Sequence, residues 1–189
     1  MAGGHVTAPP AEDVYSTVVA PEGVRCIIFI AEHNGMKVWG GDVGNAYLNG
    51  TTREKVYAIL GVEHGPELEG RVAIVVKSFY GLKPSCARWC EHLADTLRAM
   101  NWFKSKAVND VWMRDTGSGF EYLAVYSDDI IVASNSPEAV YDEIKRTYTM
   151  KKEWEYRNII WARSTVGQKG HTPPMGLLQL YQLKPTSRT

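Results

Sequence analysis

The sequence predicts an α+β fold, strands of mostly antiparallel type with helices packed on one face. Three observations carry that expectation. Apolar residues recur at helical spacing in three segments, β-rich stretches are separated by Gly- and Pro-bearing turns, and two apolar runs flank a tip of adjacent acids as a hairpin would.

Residues 1–13, with Gly3-Gly4 and Pro9-Pro10, read as a flexible leader. Pro21 in a first turn, Glu22 near the positive end of the dipole, and Val24, Ile27, Ile28 and Ala31 on one face predict a helix that Asn34-Gly35 stops. A strand is expected over 36–42, then a looser loop and helix over 43–52. Two β-rich stretches follow, 55–60 and 71–77, across a Gly/Pro/Glu-rich turn. A second helix begins near Ser85 and runs to Asn101, with Trp89, Cys90, Leu93, Leu97 and Met100 at helical spacing. Residues 108–114 read as a strand.

Gly117-Ser118-Gly119 turns into a strand over 121–126; Ser127-Asp128-Asp129 interrupts the run and 130–134 resumes it, a hairpin with acids at its tip. Ser136 as N-cap and Pro137 at the first helical position open a third helix, its inward face Val140, Ile144 and Tyr148. After Met150 the pattern degrades, and 170–189, with Pro173-Pro174 and Pro185, carries few packing signals.

A chain of 189 residues, 44% hydrophobic, suits one globular domain with room for a fragment of a second, and six Trp with ten Tyr argue against disorder. Lys plus Arg equal Asp plus Glu at 21 each. A basic surplus that would drive autonomous tight nucleic-acid binding is therefore absent, although a basic groove on one face is compatible with neutrality. The three cysteines are odd in number and lack metal-ligand spacing; Cys26 and Cys90 read as core thiols of a reducing compartment. The longest apolar runs are far too short to span a bilayer, and the start lacks the blocks of a signal peptide. No membrane partner is expected.

The acids are the chemically informative feature. Asp128 and Asp129 lie between two apolar flanks, at the edge of a core, where close carboxylates raise each other's pKa unless a cation neutralises them. A solvated turn with incidental acids is the plainer reading of an Asp-Asp pair alone. Asp42, at the end of its own strand and followed by Tyr47, makes a second reading available. Acids from at least two strands can bridge two Mg2+ ions roughly 3.5–4 Å apart, the arrangement that two-metal phosphoryl transfer needs.

The blocks around these acids identify a family. The stretch from Asp42 to Gly50, D-V-G-N-A-Y-L-N-G, resembles the D-V-K-N-A-F-L-x-G motif of copia-type retrotransposon reverse transcriptases. Arg53-Glu54-Lys55-Val56-Tyr57 resembles their E-E-V-Y segment. The run from Phe79 to Trp89 resembles L-Y-G-L-K-Q-S-P-R-A-W. The run from Val125 to Ile131 resembles V-Y-V-D-D-I-I, and Tyr148-Thr149-Met150-Lys151 resembles F-x-M-K. The blocks occur in the family's order over about residues 13–151.

The resemblance implies an RNA-directed DNA polymerase: a palm-type antiparallel sheet over 14–151 with partial fingers, and a degenerate segment over 152–189. It implies Asp42, Asp128 and Asp129 as catalytic, metal-binding residues for two Mg2+ ions (Mn2+ as a substitute), with the Val43 carbonyl as a further candidate ligand. Tyr47 takes the position that excludes a 2′-hydroxyl, or is a plain core aromatic. Gly81 and Ser85 bound a segment near nucleotide and template, and Lys83 either contacts phosphate or is a solvated lysine. Trp89 reads as core. The implied partners are an RNA or DNA template-primer, deoxynucleoside triphosphates and other parts of a retroelement polyprotein; the implied location is cytoplasmic particles or the nucleus.

The sequence also departs from the family. Ser127 stands where Val is usual, and Pro84 and Cys86 replace Gln and Pro. The upstream R-L-V-A-K-G segment and the L-G motif after Met150 have no counterpart, so a truncated piece with the thumb largely absent is expected. A catalytically inactive remnant, a binding or structural module, is the alternative function. Another palm enzyme such as a nucleotide cyclase shares the acidic hairpin but not the Tyr80-Gly81-Leu82-Lys83 block.

Overall fold

A computed structural model describes residues 18–156; the expected leader and the tail beyond residue 156 lie outside the described residues. In chain order the elements are helix α1 (Pro21–His33), strand β1 (Lys37–Val43), the single turn α2 (Ala46–Asn49), and strands β2 (Thr51–Ile59) and β3 (Val72–Lys77). Then come α3 (Ser85–Ala99), β4 (Phe103–Lys104), β5 (Val111–Asp115), β6 (Phe120–Tyr126), β7 (Asp129–Ser134), α4 (Pro137–Lys145) and β8 (Met150–Tyr156). They form two compact units, one of residues 45–99 and one of residues 18–44 and 100–156.

The larger unit is a six-stranded antiparallel sheet in the order β4-β5-β6-β7-β1-β8. Every residue of β7 is buried, as its unbroken apolar run requires: a strand without polar alternation needs cover on both faces. The register supplies the sorting. Val38 pairs with Ala133 and Gly40 with Ile131, so these share one face, while Trp39, Val132, Gly41 and Ile130 share the other. Helix α1 covers the first face, its Val24, Ile27, Ile28 and Ala31 packing with Val38, Ala124, Ile131 and Ala133. Helix α4 covers the second: the Tyr141 ring lies 6.2 Å from that of Trp39, and its hydroxyl donates to the Ile130 carbonyl at 2.8 Å. The expectation of helices on one face is thus corrected for this unit; they flank both.

Three local expectations also change. Cys26 is exposed, because the buried stripe of α1 runs through residues 23, 24, 27, 28 and 31 and leaves position 26 facing out; Cys90 is half-buried. Ser136 does precede α4, but its side chain makes no capping bond; its backbone N–H is instead held by Ser134 Oγ at 2.9 Å. Residues 150–156, where the sequence pattern degrades, form β8, paired along β1 from Val38↔Tyr156 to Val43↔Met150.

That pairing explains two glycines in mid-strand. A Cβ on Gly40 would collide with the Trp154 indole, and one on Gly41 would meet Tyr141 Cε1 at 2.6 Å and Met150 Cε at 2.7 Å. Aromatic rings lie against β1 from both sides, and only hydrogen fits beneath them. Gly40→Ala is expected to push the indole off its seat and destabilise the protein by about 1–3 kcal/mol, read as a lowered urea midpoint. A neutral result would show that Trp154 is loosely held.

The smaller unit sets the β2–β3 ribbon, with Tyr57↔Ile74 and Ile59↔Val72 in register, beside α2 and α3. Helix α3 buries Trp89, Leu93 and Leu97, so Trp89 is a core residue as read from the sequence. Gly50 sits against the α3 backbone, where a Cβ would lie 3.0 Å from the Arg88 carbonyl carbon, and its carbonyl accepts the Ser78 N–H at 2.9 Å. Among the described residues, no helix is long and apolar enough to cross a membrane.

Candidate metal centre

The end of β1 and the start of β7 bring two acids level. Asp42 and Asp129 are partners across the antiparallel pair, so their side chains leave the same face of the sheet. Between β6 and β7 only Ser127 and Asp128 turn the chain, with Tyr126 paired to Asp129. Ser127 takes φ +57°, a conformation that crowds a β-branched side chain more than a serine. Backbone bonds lock the corner: Val43 N–H donates to the Asp128 carbonyl at 2.8 Å, and Gly44 N–H to the Thr149 carbonyl at 2.7 Å. All three aspartates therefore belong to one corner of the larger unit, held by β1, the hairpin turn and the start of β8.

Two lysines, Lys151 and Lys152, offset the burial and repulsion at Asp42 only in part. Asp129 is only 6% exposed; burial first, then the charges of Asp128 and Asp42, push its carboxyl up to about 7. Burial also raises Asp42, opposed by Lys151 and reinforced by Asp128. Lys151 Nζ stands 3.9 Å from Asp42 Oδ1, too far for a hydrogen bond, and that buried oxygen accepts none. Sequence reading had assigned Lys151 no role; its place in the Tyr148-to-Lys151 block was the available signal.

A divalent cation suits such a corner chemically, since it would neutralise the repulsion and occupy the orphaned oxygen. Among the described residues no three His, Cys, Asp or Glu side chains are gathered into a ready-made cage. The donor set fits Mg2+ nonetheless, because this ion takes one or two carboxylates and completes its shell with water and substrate phosphate.

The remaining sequence-derived candidates are placed as follows. Val43 is fully buried beside Asp42. In the smaller unit the Tyr47 ring packs on Tyr80, centroids 4.3 Å apart. Gly81 adopts φ +101°, open to glycine at little cost. Lys83 is exposed. Ser85 is 2% exposed and its hydroxyl donates to the Phe79 carbonyl at 2.7 Å, so this side chain orders the turn that carries Gly81 and Lys83.

The profile of the family described as reverse transcriptase (RNA-dependent DNA polymerase) matches residues 3–170. A putative transposon Ty5-1 protein of Saccharomyces cerevisiae is 33% identical over 113 residues, which cover 57% of this chain and 35% of that protein. The retrovirus-related Pol polyprotein from transposon RE1 of Arabidopsis thaliana is 24% identical over 151 residues, 76% of this chain and 10% of the polyprotein. That from transposon TNT 1-94 of Nicotiana tabacum is 24% identical over 162 residues, 84% of this chain and 12% of the polyprotein. The chain spans from a tenth to about a third of the length of these relatives. An α+β chain with an antiparallel sheet, matched by one profile along most of its length and similar to transposon polyproteins, belongs to the retrotransposon reverse transcriptase (RNA-dependent DNA polymerase) family.

Proposed function

We propose that this chain supplies the catalytic carboxylates of an RNA-directed DNA polymerase that adds deoxynucleotides to a primer 3′ end by two-metal nucleotidyl transfer. The single observation that carries the reading is the juxtaposition of Asp42 and Asp129 across β1 and β7, with Asp128 on the turn between β6 and β7. Asp42, Asp128 and Asp129 would hold Mg2+, or Mn2+ in its place. When bound, the two ions lower the pKa of the attacking hydroxyl and neutralise the leaving pyrophosphate. Val43, buried and bonded to the Asp128 carbonyl, keeps the first acid in register with the hairpin. Tyr47, Gly81 and Lys83 are the proposed substrate-contacting residues, Tyr47 to exclude a 2′-hydroxyl, Gly81 to allow close backbone approach and Lys83 to meet phosphate, and Ser85 is the proposed positioning residue that holds the turn of Gly81 and Lys83. Template-primer, deoxynucleoside triphosphates and other segments of a polyprotein are the proposed partners.

The competing reading is an inactive module. It is favoured by the lack of a gathered three-ligand cage among the described residues. Magnesium titration by calorimetry, followed by primer extension on an RNA template, separates the two. On the polymerase reading the full chain binds Mg2+ and extends the primer, and Asp128→Asn lowers extension by at least about 100-fold, beyond the roughly 10–100-fold typical of a merely supporting residue. No magnesium heat from the unaltered chain would leave the inactive module as the function.

A further inference from the structure

The β2–β3 ribbon exposes an apolar face that the proposed chemistry does not use. Along β2 exposure alternates, and over the regularly paired residues Tyr57 and Ile59 point one way, while Val56 and Ala58 point to the half-covered side. On β3 the exposed set is Val72, Ile74 and Val76. The register places Tyr57 beside Ile74 and Ile59 beside Val72. The five apolar side chains are 56–77% exposed: Tyr57 58%, Ile59 77%, Val72 66%, Ile74 56% and Val76 67%. Together they offer on the order of 500 Å² of contiguous apolar surface, near the upper end of the patches a monomer ordinarily tolerates.

Charge at the two ends of this ribbon is predominantly of opposite sign. Its base carries Lys55 and Lys77 beside Glu54, with Arg53 paired to Glu91 of α3 at 3.1 Å; the tip carries Glu63, Glu67 and Glu69, all exposed, beside Arg71. A two-fold axis through the Tyr57–Ile74 pair, at the middle of the apolar face, would lay one ribbon antiparallel on another, apolar face to apolar face. Each basic base then meets the other copy's acidic tip. An isologous contact requires such self-complementarity: a patch whose two ends attract each other's counterparts. Two such faces bury roughly 1,000 Å² in total, the lower limit for a specific interface.

We infer that the exposed face of the β2–β3 ribbon is a homodimer surface, its occupant a second copy of this chain docked antiparallel through Tyr57, Ile59 and Ile74 and aligned by Lys55 against the acidic tip. Every residue that the pairing uses belongs to residues 53–77.

Sedimentation velocity of the full chain from about 1 to 200 μM tests this inference. The expected result is a concentration-dependent dimer that weakens as salt is raised from 0.05 to 0.5 M, because steering by exposed charges is screened. Ile74→Glu should give monomer throughout, with an unchanged circular dichroism spectrum. Lys55→Glu should weaken the dimer at least tenfold, and adding Glu63→Lys and Glu67→Lys in the same chain should restore it, since both ends of the pair are then reversed. The charge-reversal arm does not depend on the fate of the apolar variant. A chain that stays monomeric at 200 μM overturns the inference, as does a dimer indifferent to Ile74→Glu or a failure of the triple reversal to restore association. So does displacement of the dimer by single-stranded RNA bound to Tyr57 and Lys55, which would make the ribbon a nucleic-acid platform instead.

Discussion

Replacing Asp129 by Asn is expected to make the metal-free protein more stable at pH 8 and, in the same stroke, to remove its response to magnesium. The carboxyl titrates near 3.8 when unperturbed and near 7 in the folded chain. Between those values the folded state keeps a proton that the unfolded chain has released. The unfolded state therefore binds fewer protons, and stability falls as pH rises through this window. Below about pH 4 both states are protonated and the penalty vanishes; above about pH 7 it is complete, on the order of 4 kcal/mol. Asparagine removes the charge at nearly constant shape, so in EDTA at pH 8 the variant should melt roughly 8–16 °C higher, and its stability between pH 4 and 7 should be flatter.

On the proposed function magnesium should reverse the ranking. Binding would need the carboxylate, so affinity of the unaltered chain should drop as pH falls below 7, by up to about tenfold per unit if Asp129 alone is released. Thermal melts with and without 10 mM Mg2+ at pH 6 and 8 read both effects. An Asn variant that is less stable than the parent in EDTA at pH 8 would defeat the electrostatic account of the corner.

Arg114→Met should be the most damaging single change away from that corner. On β5 the guanidinium donates from Nε to Glu121 Oε2 at 2.9 Å and from one terminal nitrogen to Glu143 Oε2 at 2.6 Å. Its carbon stands 4.6 Å from the Trp102 ring centroid. Glu121 Oε1 in turn accepts the Ser134 hydroxyl at 2.5 Å, and Ser134 holds the entry to α4. One cation therefore ties β5, β6, β7 and α4 together. Arg114 and Glu121 are 18% and 13% exposed. Methionine fills the volume but strands two like charges, a loss of about 3–5 kcal/mol. Lysine recovers part, since it keeps the charge but not the planar fork. Adding Glu121→Gln to Arg114→Met should restore more than half. Urea midpoints decide it; a Met variant within about 1 kcal/mol of the parent would mean that apolar packing alone joins these elements.

Legibility in the sequence followed local strength of signal. Helix α1 was readable to within a residue, because Pro21, the apolar stripe through Ala31 and the Asn34-Gly35 stop all agree. The β6–β7 hairpin was equally plain: two apolar runs with a polar interruption have few other solutions. Strand β8 was not, because Met150–Tyr156 is mostly charged, with Met150, Trp154 and Tyr156 as its apolar anchors. It is a strand because β1 offers an edge. The two-residue β4 and the exposure of Cys26 fall to the same cause, decided by what lies alongside rather than by what lies next in the chain.

The order of the motifs, the three aspartates and the family were determined by the amino-acid sequence alone, since side-chain identity and spacing are all that they require. Pairing was not. That Asp42 stands opposite Asp129, that Gly40 and Gly41 are small because Trp154 and Tyr141 press on them, and that helices cover both faces of the sheet are results of register. Register is a property of two strands at once: a slip of one residue would send every side chain of β1 to the other face and part the two acids. The sequence named the carboxylates, and the packing of β1 between β7 and β8 brought them to one corner and raised the pKa of Asp129.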